Sequence, residues 1–216
     1  LACSIAAPGG AEIFGGTLAL HAEGEDYMAA DPIALPAIRP WRHEDPALYT
    51  VALVLRDANG AELETVRYKT GFRRFALIDG VMRLNGERIY FNGVNRHEWN
   101  PAAGRAIGPE DMRRAIETFK AANINAVRTC HYPNQSLWYD LCDEAGIYMI
   151  DETNLESHGT WQKRGAIDPD WNVPGSKPEW LACVLDRARS MFERDKNHTA
   201  VLFWSCGNES YAGADI

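Results

Sequence analysis

"INAVRTCHYPNQSLWYDLCDEAGIYMIDET", from Ile124 to Thr153, contains one complete turn of the pattern that decides the fold. It opens on a short apolar run, "INAVRT". Leu137, Leu141 and Ala145 follow at helical spacing, and Gly146 stops the helix. A second apolar run, "IYMIDET", comes next. Neither run alternates polar with apolar residues, as expected of strands covered on both faces. Such strands pair in parallel through a helical crossover.

The same unit repeats on both sides. Upstream, "LNGERIYFNGVN" reads as a small hairpin followed by a strand near Ile89–Val94. A helix then runs from Pro109 to about Ala122, with Glu110 and Asp111 at its start and Met112, Ile116 and Phe119 on one stripe. Downstream, Pro178 to about Arg194 forms a helix through Leu181, Leu185, Ala188 and Phe192, and "AVLFWS" is a fourth strand. Four strand–helix units make the first half of a (β/α)8 TIM barrel, placed at residues 71–216. An open doubly wound sheet is the rival, but no Gly-rich phosphate loop follows the first strand. Residues 1–70 have another texture. "TLALHAEG" and "LYTVALVLRD" read as strands, and "DANGAELETVRYKTGF" as a hairpin arm turning at Asn59-Gly60. This segment is expected to be a partial immunoglobulin-like β-sandwich, with "PWRHEDPALY" as a Pro-bounded loop within it.

Bulk properties narrow the function. The 216 residues carry 30 acidic and 22 Lys and Arg side chains, a net charge of −8. That balance disfavours nucleic acid and anionic membrane surfaces as partners. No run approaches the roughly 20 apolar residues of a membrane span. The five cysteines, Cys3, Cys130, Cys142, Cys183 and Cys206, are odd in number, widely spaced and set in apolar runs. Buried free thiols in a reducing compartment fit better than a disulfide framework or a zinc site. With no signal peptide visible, a cytoplasmic location is expected. A start at Leu1 and a stop just past Glu209 suggest a fragment.

The polar residues gather at one kind of place. The first strand runs into Asn95-Arg96-His97-Glu98, the second into Arg128-Thr129-Cys130-His131. The third ends in Asp151-Glu152-Thr153-Asn154 and the fourth in Asn208-Glu209. In a β/α barrel these ends share the rim where such enzymes place their chemistry. Glu156 and His158 lie two apart, so an extended backbone points both to one side.

"GVNRHEWNP", "NAVRTCHYPNQSLWYDLCDEAGIYMIDETNLESHG" and "RDKNHTAVLFWSCGNES" closely resemble the retaining β-galactosidases of glycoside hydrolase family 2. The match runs from about Gly71 onward and more loosely back to Pro40. The resemblance implies hydrolysis of terminal non-reducing β-D-galactose from substrates such as lactose. It makes Glu209 the general acid/base and places the nucleophile on a later strand, so one of two catalytic carboxylates is present. It assigns Glu156, His158 and Glu209 to a magnesium site, and His97 and His131 to the galactosyl group and its distorted transition state. By the same resemblance Asn208 is expected to bond the sugar 2-hydroxyl. Arg128 pairs with the nucleophile and is expected to lack its partner here. A monovalent cation, if present, has ligands elsewhere, and the full-length protein is expected to be a homo-oligomer. The resemblance also leaves room for a β-glucuronidase or β-mannosidase, or for a non-catalytic sugar-binding or assembly piece. Trp161 and Trp171, in the long segment from Leu155 to Lys177, stack on sugar or pack.

Overall fold

The computed structural model describes residues 1–24, 28–35, 37–158 and 173–210. Its N-terminal part holds β1 (Ala2–Ala6), β2 (Glu12–Thr17), β3 (Leu20–Ala22), β4 (Met28–Ala30), β5 (Tyr49–Arg56) and β6 (Glu62–Thr70). β1, β2, β5 and β6 form an antiparallel sheet in the order β2-β1-β5-β6, and β3 and β4 form a separate ribbon. Across β1 and β5, Cys3 faces Leu53 and Ile5 faces Val51. Cys3, Ile5, Val51 and Tyr49 form a small core, against which Leu53, Leu18, Ile33, Leu35 and Ile38 pack. β6 is an edge strand exposed along nearly its whole length, and Glu62, Glu64, Arg67 and Lys69 keep that edge polar. The strand expected at Thr17–Gly24 is interrupted: β2 ends at Thr17 and β3 begins at Leu20.

A three-stranded meander, β7 (Phe75–Ile78), β8 (Val81–Leu84) and β9 (Glu87–Arg88), leads into the second part. There β10 (Gly93–Arg96), α1 (Pro109–Ala121), β11 (Ala126–Thr129), α2 (Ser136–Ala145), β12 (Tyr148–Glu152), α3 (Pro178–Asp195) and β13 (Val201–Ser205) alternate. The four strands pair in parallel in chain order, β10-β11-β12-β13. β10 starts later than the expected Ile89–Val94: its pairing with β11 begins at Gly93 beside Ala126, and Tyr90 and Phe91 lie ahead of it. Gly146 closes α2 in the left-handed conformation at φ 70°, and a Cβ there would sit 2.5 Å from the His43 carbonyl.

Two helical stripes differ from the sequence reading. α2 buries Trp138, Tyr139, Cys142 and Asp143 rather than Leu137 and Leu141, which are only partly buried. α3 buries Val184, Met191 and Asp195 and leaves Leu181, Leu185 and Phe192 exposed. Asp195 can sit on an inward face because Arg194 clamps both its oxygens at 2.7 and 2.8 Å.

The N-terminal part grips the lower end of the parallel sheet. Trp41, in the Pro-bounded loop, is fully buried in the larger core, and its Nε1 donates to the Asp143 carbonyl at 2.8 Å. His43 Nδ1 lies 2.7 Å from the Gly146 carbonyl. Gly71 N donates to Thr199 Oγ1 at 2.6 Å, and Arg73 donates to the carbonyls of Thr199 and Val201. All these contacts fall where β12 and β13 begin. The end where the strands finish is left for chemistry.

One buried group gives a testable pH dependence. Asp151 Oδ1 accepts from Tyr139 Oη at 2.7 Å and Thr129 Oγ1 at 3.2 Å, whereas its Oδ2 is buried and meets no hydrogen-bond donor among the described residues. Burial, reinforced by the Asp195 carboxylate, raises the Asp151 pKa from 3.8 to about 7. A carboxyl raised on folding holds its proton in the native state while the unfolded chain has lost it. Its contribution is therefore full below pH 4 and disappears as pH rises to about 7. Asp151→Asn is expected to flatten this part of the stability profile, read as the difference in urea midpoint between variant and wild type at pH 5 and pH 8. Parallel profiles for the two proteins would refute it.

Candidate active site

The residues that end β10, β11, β12 and β13 meet on one rim around a buried carboxylate. Glu152, the last residue of β12, is fully buried. Its Oε2 accepts from Arg128 Nε at 2.7 Å and Ser205 Oγ at 2.7 Å, with Arg128 Nη2 at 2.6 Å. Its Oε1 lies 2.8 Å from His131 Nδ1, and its backbone N–H donates to Thr129 Oγ1. Arg128 continues outward, donating to Asn208 Oδ1 at 2.8 Å and to Asn95 Oδ1 at 3.3 Å. The expectation that Arg128 lacks a carboxylate partner is therefore corrected: Glu152, one strand over, supplies it. Parallel register places Arg128 beside Ile150, two residues short of Glu152, within reach of a long side chain.

Asn208 is held at both ends of its amide, since Nδ2 also donates to Glu156 Oε1 at 2.9 Å. Glu156 and Asn208 form an isolated parallel bridge, and Asn208 N donates to the Leu155 carbonyl. Gly207 fits this crossing: its φ is 129°, and a Cβ would sit 2.5 Å from the Leu155 carbonyl. Glu209 follows at φ 37°, an uncommon conformation for a residue with a side chain. Its Oε2 lies 2.9 Å from His158 Nδ1, which in turn is 3.9 Å from Glu156 Oε1. The hydrogen bond that Glu209 accepts raises the His158 pKa above the ordinary histidine value. One donor atom each from Glu156, His158 and Glu209 falls within 4.8 Å of the others. Two carboxylates with one imidazole suit a hard divalent cation that keeps some of its waters.

On the other side of Arg128, the His97 and His131 rings stand edge to face with centroids 5.3 Å apart. His97 Nδ1 is 3.4 Å from Tyr132 Oη, which accepts from Glu98 N at 3.0 Å. Arg96 turns inward, lying over the Trp138 ring at 3.8 Å and donating to Asn134 Oδ1. Cys130 is buried beside the histidines, and that burial pushes its thiol pKa up. Cys183 and Cys206 are exposed, so the expectation of five buried thiols holds only for Cys3, Cys130 and Cys142. Trp161 and Trp171 lie outside the described residues.

The model for "Glycosyl hydrolases family 2, TIM barrel domain" matches residues 75–216, and that for "Glycosyl hydrolases family 2" matches residues 11–73. The chain belongs to glycoside hydrolase family 2. This family 2 chain is 62% identical over 190 residues to "Beta-galactosidase" of Clostridium acetobutylicum, a match covering 88% of this chain and 21% of that protein. It is 56% identical to "Beta-galactosidase large subunit" of Lactobacillus acidophilus, over 84% of this chain and 29% of that one. Among solved structures, "Bifidobacterium dentium beta-glucuronidase complexed with coumarin-3-O-glucuronide" superposes with TM-score 0.81 at 27% identity, covering 96% of this chain and 31% of that chain. The family 2 chain thus spans less than a third of the length of these relatives, and its parallel sheet is the first half of their barrel type.

Glu152 is the site residue that sequence reasoning did not single out. Its position was visible as a strand-end carboxylate. Its burial under Arg128, His131 and Ser205 depends on strand register.

Proposed function

We propose that this chain provides the acid/base side of the active site in a retaining β-galactosidase acting on terminal β-D-galactosides such as lactose. The observation that carries this reading is the convergence of Glu209, Asn208, Glu156 and His158, which Arg128 ties to the His97–His131 pair. Glu209 protonates the glycosidic oxygen and later takes a proton from water. His158 holds its carboxyl by the 2.9 Å contact. Asn208, fixed through Arg128 and Glu156, has one amide hydrogen left for the sugar 2-hydroxyl. His97 and His131 flank the sugar. Retention requires a second carboxylate about 5 Å from Glu209. Glu152 does not fill that role, because it is buried beneath its own partners.

Glu156, His158 and Glu209 fit a magnesium ion by their donor set. When bound, the ion supplies positive charge beside the Glu209 carboxyl. The relatives called large subunits support an assembly of more than one chain in the working enzyme.

The solved structures favour a second reading, a β-glucuronidase, but at 26–27% identity against 53–62% for the β-galactosidases. A glucuronidase also needs a cation for the sugar carboxylate. Arg96 and Arg128 at the strand ends are already committed, to Asn134 and Glu98 and to Glu152 and Asn208. With nitrophenyl glycosides and the full-length protein, kcat/KM for the β-galactoside should exceed that for the β-glucuronide and β-mannoside by a factor on the order of 10² or more. A glucuronide turned over faster would overturn the assignment.

A further inference from the structure

We propose that His97, Cys130 and His131 form a second cation site, selective for a soft or borderline metal such as Zn²⁺, whose occupancy blocks the sugar site. Binding follows from the geometry alone; the inhibition rests on the galactosidase reading.

One donor atom each from His97, Cys130 and His131 lies within 4.8 Å of the others. Zinc bonds of about 2.0–2.3 Å set tetrahedral ligands roughly 3.3–3.8 Å apart, so only a modest closure is required. His97 is exposed and can supply it, whereas Cys130 and His131 are held at the end of β11. The support around the cluster is also that of a metal site. His131 Nδ1 lies 2.8 Å from Oε1 of the buried Glu152 and 3.3 Å from Arg128 Nη2; with its proton turned to Glu152, Nε2 is the ring's open donor. A carboxylate behind a ligating imidazole is the usual device for orienting it and raising its basicity.

The two clusters on this rim differ in chemistry. Glu156, His158 and Glu209 offer two carboxylates and one imidazole, a set suited to a hard ion. The thiolate and two imidazoles of the second set bind hard ions weakly and favour zinc, with a fourth position open to water. Zinc there ties the end of β10 to the end of β11 through the two histidines assigned to the sugar. Ligated imidazoles cannot also face substrate, so inhibition is competitive.

Co²⁺ is the spectroscopic probe, added to the full-length protein with magnesium in excess. Expected are a near-ultraviolet thiolate-to-cobalt charge-transfer band and the visible bands of a tetrahedral site, both bleached by one equivalent of Zn²⁺. Cys183 and Cys206 are exposed, so dependence on Cys130 is decisive. Cys130→Ser should abolish the thiolate band and raise the Zn²⁺ concentration for half-inhibition about 10- to 100-fold, relative to that variant's own zinc-free rate. Should Cys130→Ser fold poorly, His97→Gln on the exposed side should weaken Co²⁺ and Zn²⁺ binding similarly. A thiolate band lost in Cys130→Ser supports the site even in a preparation without galactosidase activity. No thiolate band, or unchanged zinc potency in both variants, overturns it. Inhibition relieved by further magnesium places the zinc on Glu156, His158 and Glu209 and likewise overturns it.

Discussion

Glu209→Gln in the full-length protein is expected to lower kcat for lactose by about 10²–10⁴, the usual contribution of a positioned general acid. At 1.36 kcal/mol per tenfold this is roughly 3–5 kcal/mol of transition-state stabilisation. Glutamine preserves the shape of the side chain and can still meet His158 Nδ1, which is 2.9 Å from Glu209 Oε2. The loss therefore reports the missing proton rather than a collapsed rim. Leaving-group dependence sharpens the test. A sugar leaving group must be protonated as it departs, whereas nitrophenolate departs as an anion. With a nitrophenyl galactoside the first step should be spared and the second, in which Glu209 activates water, should become limiting. kcat and KM then fall together, and azide, a nucleophile needing no base, should restore turnover. A loss below tenfold on lactose, or equal losses on both substrates with no azide effect, would remove Glu209 from the acid/base role.

The barrel half was legible because its signals are local. Pro109 and Pro178 mark helix starts, Gly146 marks an end, and the apolar runs of β11, β12 and β13 fall within two residues of their expected bounds. Elsewhere the apolar pattern and the structure of this half-barrel chain differ. Tyr90 and Phe91 precede β10 instead of belonging to it, and Leu181, Leu185 and Phe192 form an exposed face of α3 while Asp195 points inward. β1 and β2 are not legible in the sequence: "EIFGGT" carries two glycines and little alternation, and it is the placing of β1 between β5 and β2 that makes a sheet of them. The rim residues were visible as types and positions, since Arg, His, Asn and Glu directly abutting apolar strands signal a site. Who pairs with whom was not. The Arg128–Glu152 contact spans 24 positions and the Arg128–Asn208 contact 80, and both depend on register that only the folded sheet sets.

Removing the carboxylate at the centre of that network should have the largest effect on stability. Glu152→Ala takes from Arg128, whose side chain is only 25% exposed, its carboxylate partner among the described residues, and strips donors on His131 and Ser205 of their acceptor. Breaking a buried pair from one side costs about 3–5 kcal/mol, much of it the burden of the uncompensated charge. The urea midpoint of the full-length protein should fall accordingly, and kcat/KM should fall too because His131 and Asn208 lose their anchorage. Arg128→Met/Glu152→Leu separates the two effects. Replacing both charges with apolar groups of similar volume removes the desolvation burden, so most of the lost stability should return. Activity should not, because Asn208 Oδ1 and His131 Nδ1 are still without Arg128 and Glu152. A double variant that regains turnover together with stability would show that the network serves the fold alone.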